Sequence, residues 1–126
     1  MKEKIKFYKC PICGNVIEII EGTANSIVCC GKKIEELNAN TVDASKEKHI
    51  PIYEKIDSEI RVKVGETKHP MEDTHYIMWI AQVTNNSITR VELKPNEEPE
   101  IRLPYVKGAV LYAYCNIHGL WKKIVD

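Results

Sequence analysis

Apolar and polar positions alternate with period two over residues 59–64, Glu-Ile-Arg-Val-Lys-Val, as in a strand with one buried face. Residues 76–83 (YIMWIAQV) are almost continuously apolar, which predicts a central strand buried on both faces. Residues 87–93 follow the turn pair Asn85-Asn86, and residues 109–114 and 120–125 read as two further strands. Near the start, the short apolar stretches 5–8 and 16–20 also read as strands, punctuated by Gly14-Asn15 and Glu21-Gly22-Thr23. Prolines at 51, 70, 95, 99 and 104 leave little room for a long helix. The pattern predicts a mainly β chain that ends in a β-sandwich or small barrel. No internal repeat or low-complexity segment interrupts it, and no apolar run approaches the ~20 residues of a membrane span.

The strands group into two units. Residues 1–36 are too few to bury a sufficient core, so a metal staple is expected there. Residues 37–48 (LNANTVDASKEK) are polar and aperiodic and read as a linker leading into a loop before His49. Residues 49–126 form the β domain. Hydrophobic residues make up 44% and charged residues 29%, the profile of a soluble globular protein. Lys+Arg and Asp+Glu balance at 18 each, which argues against a generic nucleic-acid binder. The opening MKEKIKFYKC carries no apolar h-region and no small-residue cleavage site. No secretory signal is expected, and the cytoplasm is the expected compartment.

In a reducing compartment, clustered cysteines hold metal more often than they pair. The chain has 5 cysteines, at 10, 13, 29, 30 and 115. Cys10-Pro11-Ile12-Cys13-Gly14 reads as a knuckle whose two sulfurs face one metal, with Gly14 allowing the tight turn. Cys29 and Cys30 complete a four-thiolate set, but they are adjacent where a zinc ribbon would place a second C-x₂-C. One metal can use both only if the side chains splay apart, so a distorted tetrahedron is expected. Spacing leaves zinc against iron open, with a vicinal disulfide as a lesser reading.

The 4 histidines, His49, His69, His75 and His118, all lie in the second unit, together with Cys115. A lone histidine is usually a surface residue or a satisfied core group. Here all of them fall near expected strand ends, and His118 shares a C-x₂-H spacing with Cys115. Five donors exceed the tetrahedral zinc norm. A blue-copper set of two histidines, Cys115 and a methionine would leave two histidines unused. A five-coordinate iron with an open sixth position uses them all. Trp79 and Trp121 read as core aromatics.

Tyr8-Lys9-Cys10-Pro11-Ile12-Cys13-Gly14-Asn15 with Val28-Cys29-Cys30-Gly31 resembles the desulforedoxin module, which implies one iron in a distorted four-cysteine site. Lys46-Glu47-Lys48-His49-Ile50-Pro51, His69-Pro70-Met71, His75-Tyr76-Ile77 and Cys115-Asn116-Ile117-His118-Gly119 together resemble the superoxide reductase signature. With the N-terminal module they are similar to the two-iron desulfoferrodoxin class of that family. The resemblance implies a small desulforedoxin-like domain followed by an immunoglobulin-like β domain, usually in a homodimer. It implies an oxidoreductase that reduces superoxide to hydrogen peroxide with one electron and two protons. It makes His49, His69, His75 and His118 equatorial and Cys115 axial ligands of a second iron. Lys48 would steer the anion, although composition alone reads it as one more solvated lysine. Glu47 would occupy the sixth position when the iron is ferric. Backbone N–H groups after Cys115 are expected to hydrogen-bond its sulfur. Rubredoxin or a similar small iron protein is the implied electron donor; no nucleic acid or membrane is an expected partner. Two other readings stand beside it: a non-catalytic iron electron-transfer protein, and a zinc-ribbon interaction module on a β-sandwich.

Overall fold

The computed structural model describes residues 5–126. These divide into two compact units that meet in sequence at residues 38 and 39. In the small unit the strands are β1 (Phe7–Lys9), β2 (Val16–Glu18), β3 (Val28–Cys29), β4 (Lys32–Lys33) and β5 (Glu35–Glu36). β1 pairs antiparallel with β2 and β5, while β3 and β4 form a separate hairpin. The buried apolar side chains here are few: Ile5, Phe7, Cys10 and Ile34. At roughly 1.5–3 kcal/mol for each large side chain, they cannot offset the ordering of that many residues, as the sequence suggests.

In the larger unit the first helix or strand is a single helical turn, α1 (Lys46–His49), which overlaps the end of the stretch 37–48 read as linker. Seven strands follow: β6 (Pro51–Ile56), β7 (Glu59–Val64), β8 (Ile77–Val83), β9 (Ile88–Glu92), β10 (Glu100–Pro104), β11 (Val110–Cys115) and β12 (Gly119–Ile124). They form two antiparallel sheets, ordered β10-β7-β6 and β12-β11-β8-β9. Ile60, Val62 and Val64 alternate inward from β7, as their period-two pattern predicts, and meet Ile80, Leu111 and Ala113 from the other sheet. The chain is therefore mainly β, and its larger unit is a sandwich closed around one apolar core.

β8 is buried along nearly its whole length and lies between β11 and β9, the central position its composition predicts. β6 and β10 escape the hydrophobic pattern. Both are edge strands, only partly buried, and both carry a proline at a terminus, which an edge tolerates. The register of β8 against β11 shifts by one residue between Tyr114 and Cys115. Met78 is the extra residue, so Ile77 and Ile80 both reach the core and Cys115 stays on the inward face of β11. Asn40 is tied to β12: its N–H donates to the Leu120 carbonyl at 3.0 Å, and its Oδ1 accepts from the Lys122 N–H at 2.9 Å.

Antiparallel order places the start of β6, the end of β7, the start of β8, the end of β11 and the start of β12 at one end of the sandwich. All four histidines and Cys115 sit on these termini and their connections.

Candidate metal centres

In the small unit the four sulfurs of Cys10, Cys13, Cys29 and Cys30 lie within 4.8 Å of one another. None is in a disulfide. The Cys13 and Cys29 sulfurs are 3.6 Å apart. A tetrahedral metal with bonds of ~2.3 Å holds its sulfurs about 3.8 Å apart, so the set fits one ion. The knuckle closes by Gly14 N–H donating to the Cys10 carbonyl at 3.1 Å, with Gly14 at φ +80°. The Ile12 and Cys13 N–H groups each point at the Cys10 sulfur, at 3.4 Å.

The adjacent pair is splayed by its turn. Cys29 pairs with Lys32, leaving Cys30 and Gly31 as a two-residue hairpin turn with φ of 54° and 76°. Two positive φ values are the pattern of a type I′ turn. A left-handed cysteine costs of order 1–2 kcal/mol, and here it brings the fourth sulfur into the set. The thiols cannot all ionise without a cation. The Cys13 N–H lowers Cys10 to about 6 against the opposing effect of burial, and the Ile12 N–H adds to it. Hydrogen bonding from the Cys10 and Cys13 sulfurs pushes Cys29 up to about 12. The Cys13 sulfur likewise raises Cys30.

In the larger unit one ligand atom from each of His49, His69, His75, His118 and Cys115 falls within 4.8 Å of the others. The imidazoles form a closed cycle. Neighbouring ring centroids are 4.5 Å apart for His49–His69, 4.9 Å for His69–His75, 5.0 Å for His75–His118 and 4.8 Å for His118–His49. His49 Nε2 lies 3.0 Å from His69 Nε2 and 3.1 Å from His118 Nδ1. Right angles at a metal with bonds of ~2.1 Å give neighbouring nitrogens about 3.0 Å apart, against about 3.4 Å for a tetrahedron. The two distances from His49 Nε2 match right angles at a shared metal better than tetrahedral ones.

These contacts suit a shared cation. His49 Nδ1 donates to the Ser45 carbonyl at 2.6 Å, and His69 Nδ1 donates to the Pro70 carbonyl at 2.6 Å. Each ring therefore presents an Nε2 lone pair, and the two lone pairs face each other. His75 Nε2 is buried without any hydrogen-bond partner. Burial holds His49 and His75 below the usual histidine range and takes His69 to about 4, which favours the uncharged, lone-pair-bearing form of each ring. The Lys48 charge lowers His49 further.

Local structure explains each placement. His49 ends α1 and is 3% exposed, and its ring stacks on Trp121 at 4.9 Å. His69 is fully buried on the run from β7. His75 closes a tight turn in which it and Glu72 exchange backbone hydrogen bonds of 2.9 and 3.1 Å. Cys115 pairs with Gly119 across a three-residue hairpin loop, with Gly119 at φ +81°. That short loop brings His118 in through Nδ1. Cys115 is fully buried, which raises its thiol, while the His118 N–H reaches its sulfur at 3.4 Å, as the sequence leads one to expect. Glu47 and Lys48 are exposed on the turn that carries His49. The Glu47 backbone N–H holds its carboxyl below the usual range.

Two side chains shape this centre beyond the sequence reading. Trp121 is core, as expected, but its Nε1–H also donates to the His118 carbonyl at 3.1 Å. Asn116 joins two ligand loops: its Oδ1 accepts from the Tyr76 N–H at 2.9 Å and its Nδ2 donates to the Thr74 carbonyl at 3.0 Å. Their proximity in sequence to Cys115 and His118 was the only available signal.

Comparison with known proteins agrees with both centres. The Desulfoferrodoxin family matches residues 41–124, and the family described as Desulfoferrodoxin, N-terminal domain, matches residues 2–37. A protein named Desulfoferrodoxin from Syntrophotalea carbinolica is 48% identical over 122 residues, covering 96% of this chain and 97% of its own. A protein named Superoxide reductase from Pyrococcus horikoshii is 34% identical over 104 residues, covering 67% of this chain and 90% of its own. Among solved structures, superoxide reductase from Treponema pallidum superposes with a TM-score of 0.74 at 33% identity, covering 96% of this chain and 99% of that one. With matches in both units and a relative similar over nearly the whole length, the chain belongs to the desulfoferrodoxin family.

Proposed function

We propose that this protein is a superoxide reductase with two mononuclear iron centres. Cys10, Cys13, Cys29 and Cys30 hold one iron within a domain read over residues 1–36. His49, His69, His75, His118 and Cys115 hold the other within a domain read over residues 49–126. The observation that carries the reading is the closed cycle of four imidazoles, with His49 Nε2 3.0 Å from His69 Nε2 and 3.1 Å from His118 Nδ1, gathered with the buried Cys115 sulfur within 4.8 Å. Iron bound there supplies one electron to superoxide, which with two protons becomes hydrogen peroxide.

The chain does the rest. The Ser45 and Pro70 carbonyls hold His49 and His69 in the tautomer that leaves Nε2 free. Buried Cys115 would hold the metal from the core side, and exposed Glu47 and Lys48 sit on the turn that carries His49. Four neutral imidazoles, one thiolate and a ferrous ion carry one net positive charge, which attracts an anion although the chain is neutral overall. Exposed Lys48 adds a second positive charge beside His49 and stabilises charge on the product. The family resemblance supports exposed Glu47 as a carboxylate that would compete for a metal position left open by the five donors.

The family resemblance supports a rubredoxin-type electron donor, a homodimer and a cytoplasmic setting. Among the described residues no helix is long and apolar enough to cross a membrane. The test is an iron count per chain, absorption spectra before and after mild reduction, and the rate with superoxide by pulse radiolysis. Two irons, two chromophores and a fast second-order reaction are expected. Two irons without reaction with superoxide or binding of azide would make the protein an electron carrier, and colourless zinc would refute both centres as iron sites.

A further inference from the structure

Gly65 follows β7 and begins the run to His69. It is buried, with φ at +80°. Space distinguishes it more than φ does. A Cβ on Gly65 would lie 2.5 Å from the Lys48 carbonyl oxygen, 2.6 Å from the Lys48 carbonyl carbon and 2.8 Å from the Glu47 carbonyl oxygen. All three are backbone atoms, so no side-chain rotation relieves the contact. Gly22 has a larger φ, +93°, yet a Cβ there meets nothing within 4 Å. Two hydrogen bonds hold the close approach: Gly65 N–H donates to the Ile50 carbonyl at 3.0 Å, and Thr67 N–H donates to the Glu47 carbonyl at 2.9 Å. α1 is one turn long and has no side-chain cap, so it cannot hold its own shape.

We propose that Gly65 is a positioning residue for the catalytic turn. Having no Cβ, it lets the 65–67 backbone seat Glu47, Lys48 and His49, which fixes the Lys48 charge and the His49 ring relative to His69. The consequence for superoxide rests on the proposed activity, whereas the seating itself does not.

Hydrogen exchange of the full-length, metal-loaded protein, read by mass spectrometry over residues 45–50, tests the seating without reference to activity. Gly65→Ala and Gly65→Asn should both speed exchange there at least tenfold, while Gly22→Ala leaves it unchanged. Asparagine accepts a left-handed φ but carries the same Cβ. Native exchange in Gly65→Asn would therefore overturn the proposal, leaving backbone strain as the whole effect. If neither variant folds, the native protein decides: Gly65 and Thr67 amides protected as well as the Ile50 amide support the clamp, and exchange like an exposed loop amide overturns it. The superoxide rate supplies a readout that lost stability alone would not move. In folded Gly65→Ala its dependence on ionic strength should flatten, as expected for loss of the Lys48 charge itself. An unchanged slope removes Lys48 from the proposal. A protein inert towards superoxide would refute the activity while leaving the exchange result intact.

Discussion

Asn116 is half-buried and spans two loops that each carry a donor. Its side chain holds the Thr74 carbonyl and the Tyr76 N–H, and its own N–H donates to the Tyr76 carbonyl at 3.2 Å. Asn116→Ala removes both side-chain bonds and leaves the backbone one. At roughly 0.5–1.5 kcal/mol for each bond, a stability loss of about 1–3 kcal/mol is expected. The loss should fall on the loop around His75, so iron should leave the histidine centre faster when a chelator is added. Native retention would show that the hairpin holds without the amide. Under the proposed function Lys48 would act on the same centre by charge. Two unit charges ~6 Å apart interact by roughly 1–3 kcal/mol at effective dielectric constants of about 20–60, and an approach from solvent favours the lower end. Lys48→Ile should cut the second-order rate with superoxide about tenfold while keeping the iron and its spectrum. Added salt should slow the native protein more than the variant. Equal rates and equal salt slopes would return Lys48 to an ordinary surface lysine.

Short elements carry unequal demands. The Cys29-Cys30 hairpin has only two residue pairs, Val28 with Lys33 and Cys29 with Lys32, and its turn is left-handed at both positions. Such a hairpin does not hold in water by itself, so the metal is its chief tie. Cys29→Ser should abolish the four-cysteine iron and loosen the small unit, seen as loss of that centre's visible bands and faster hydrogen exchange over residues 5–36. The histidine centre should keep its spectrum and its rate with superoxide, because its ligands and core belong to the larger unit. Loss of superoxide reduction with the histidine iron still bound would contradict this. The β11–β12 hairpin differs, since Leu111, Ala113 and Leu120 are buried in the sandwich and anchor it independently of a metal.

For the molecule as a whole, stability comes from two sources. The larger unit has a continuous apolar core shared by two sheets, whereas the small unit has, among the described residues, four buried apolar side chains, one of them the ligand candidate Cys10, and a metal set. Leu111 is fully buried in the sandwich, and Leu111→Ala should cost about 2–5 kcal/mol, as a truncation in a close-packed core does. Chemical denaturation followed by circular dichroism should show that loss, with the four-cysteine spectrum of the folded variant unchanged. A cost below about 1 kcal/mol would mean that the sheets are not packed as described.

The sequence determined the donor types and the buried strands. Period-two alternation in β7 and the apolar run of β8 report burial directly, because side chains on a strand take opposite faces in turn. The Cys10–Cys13 knuckle and the Cys115–His118 pair were legible because their spacing is local. Edge strands β6 and β10 left little trace, since they bury too little to impose a pattern. Only the tertiary structure decided how residues 49, 69, 75 and 115 converge, because sheet order and register, including the Met78 bulge, set those distances. It also decided that His118 enters through Nδ1, that Trp121 stacks on His49, and that Gly65 has no space for a side chain. Spacing along a chain constrains only neighbours, and these contacts join segments far apart in sequence.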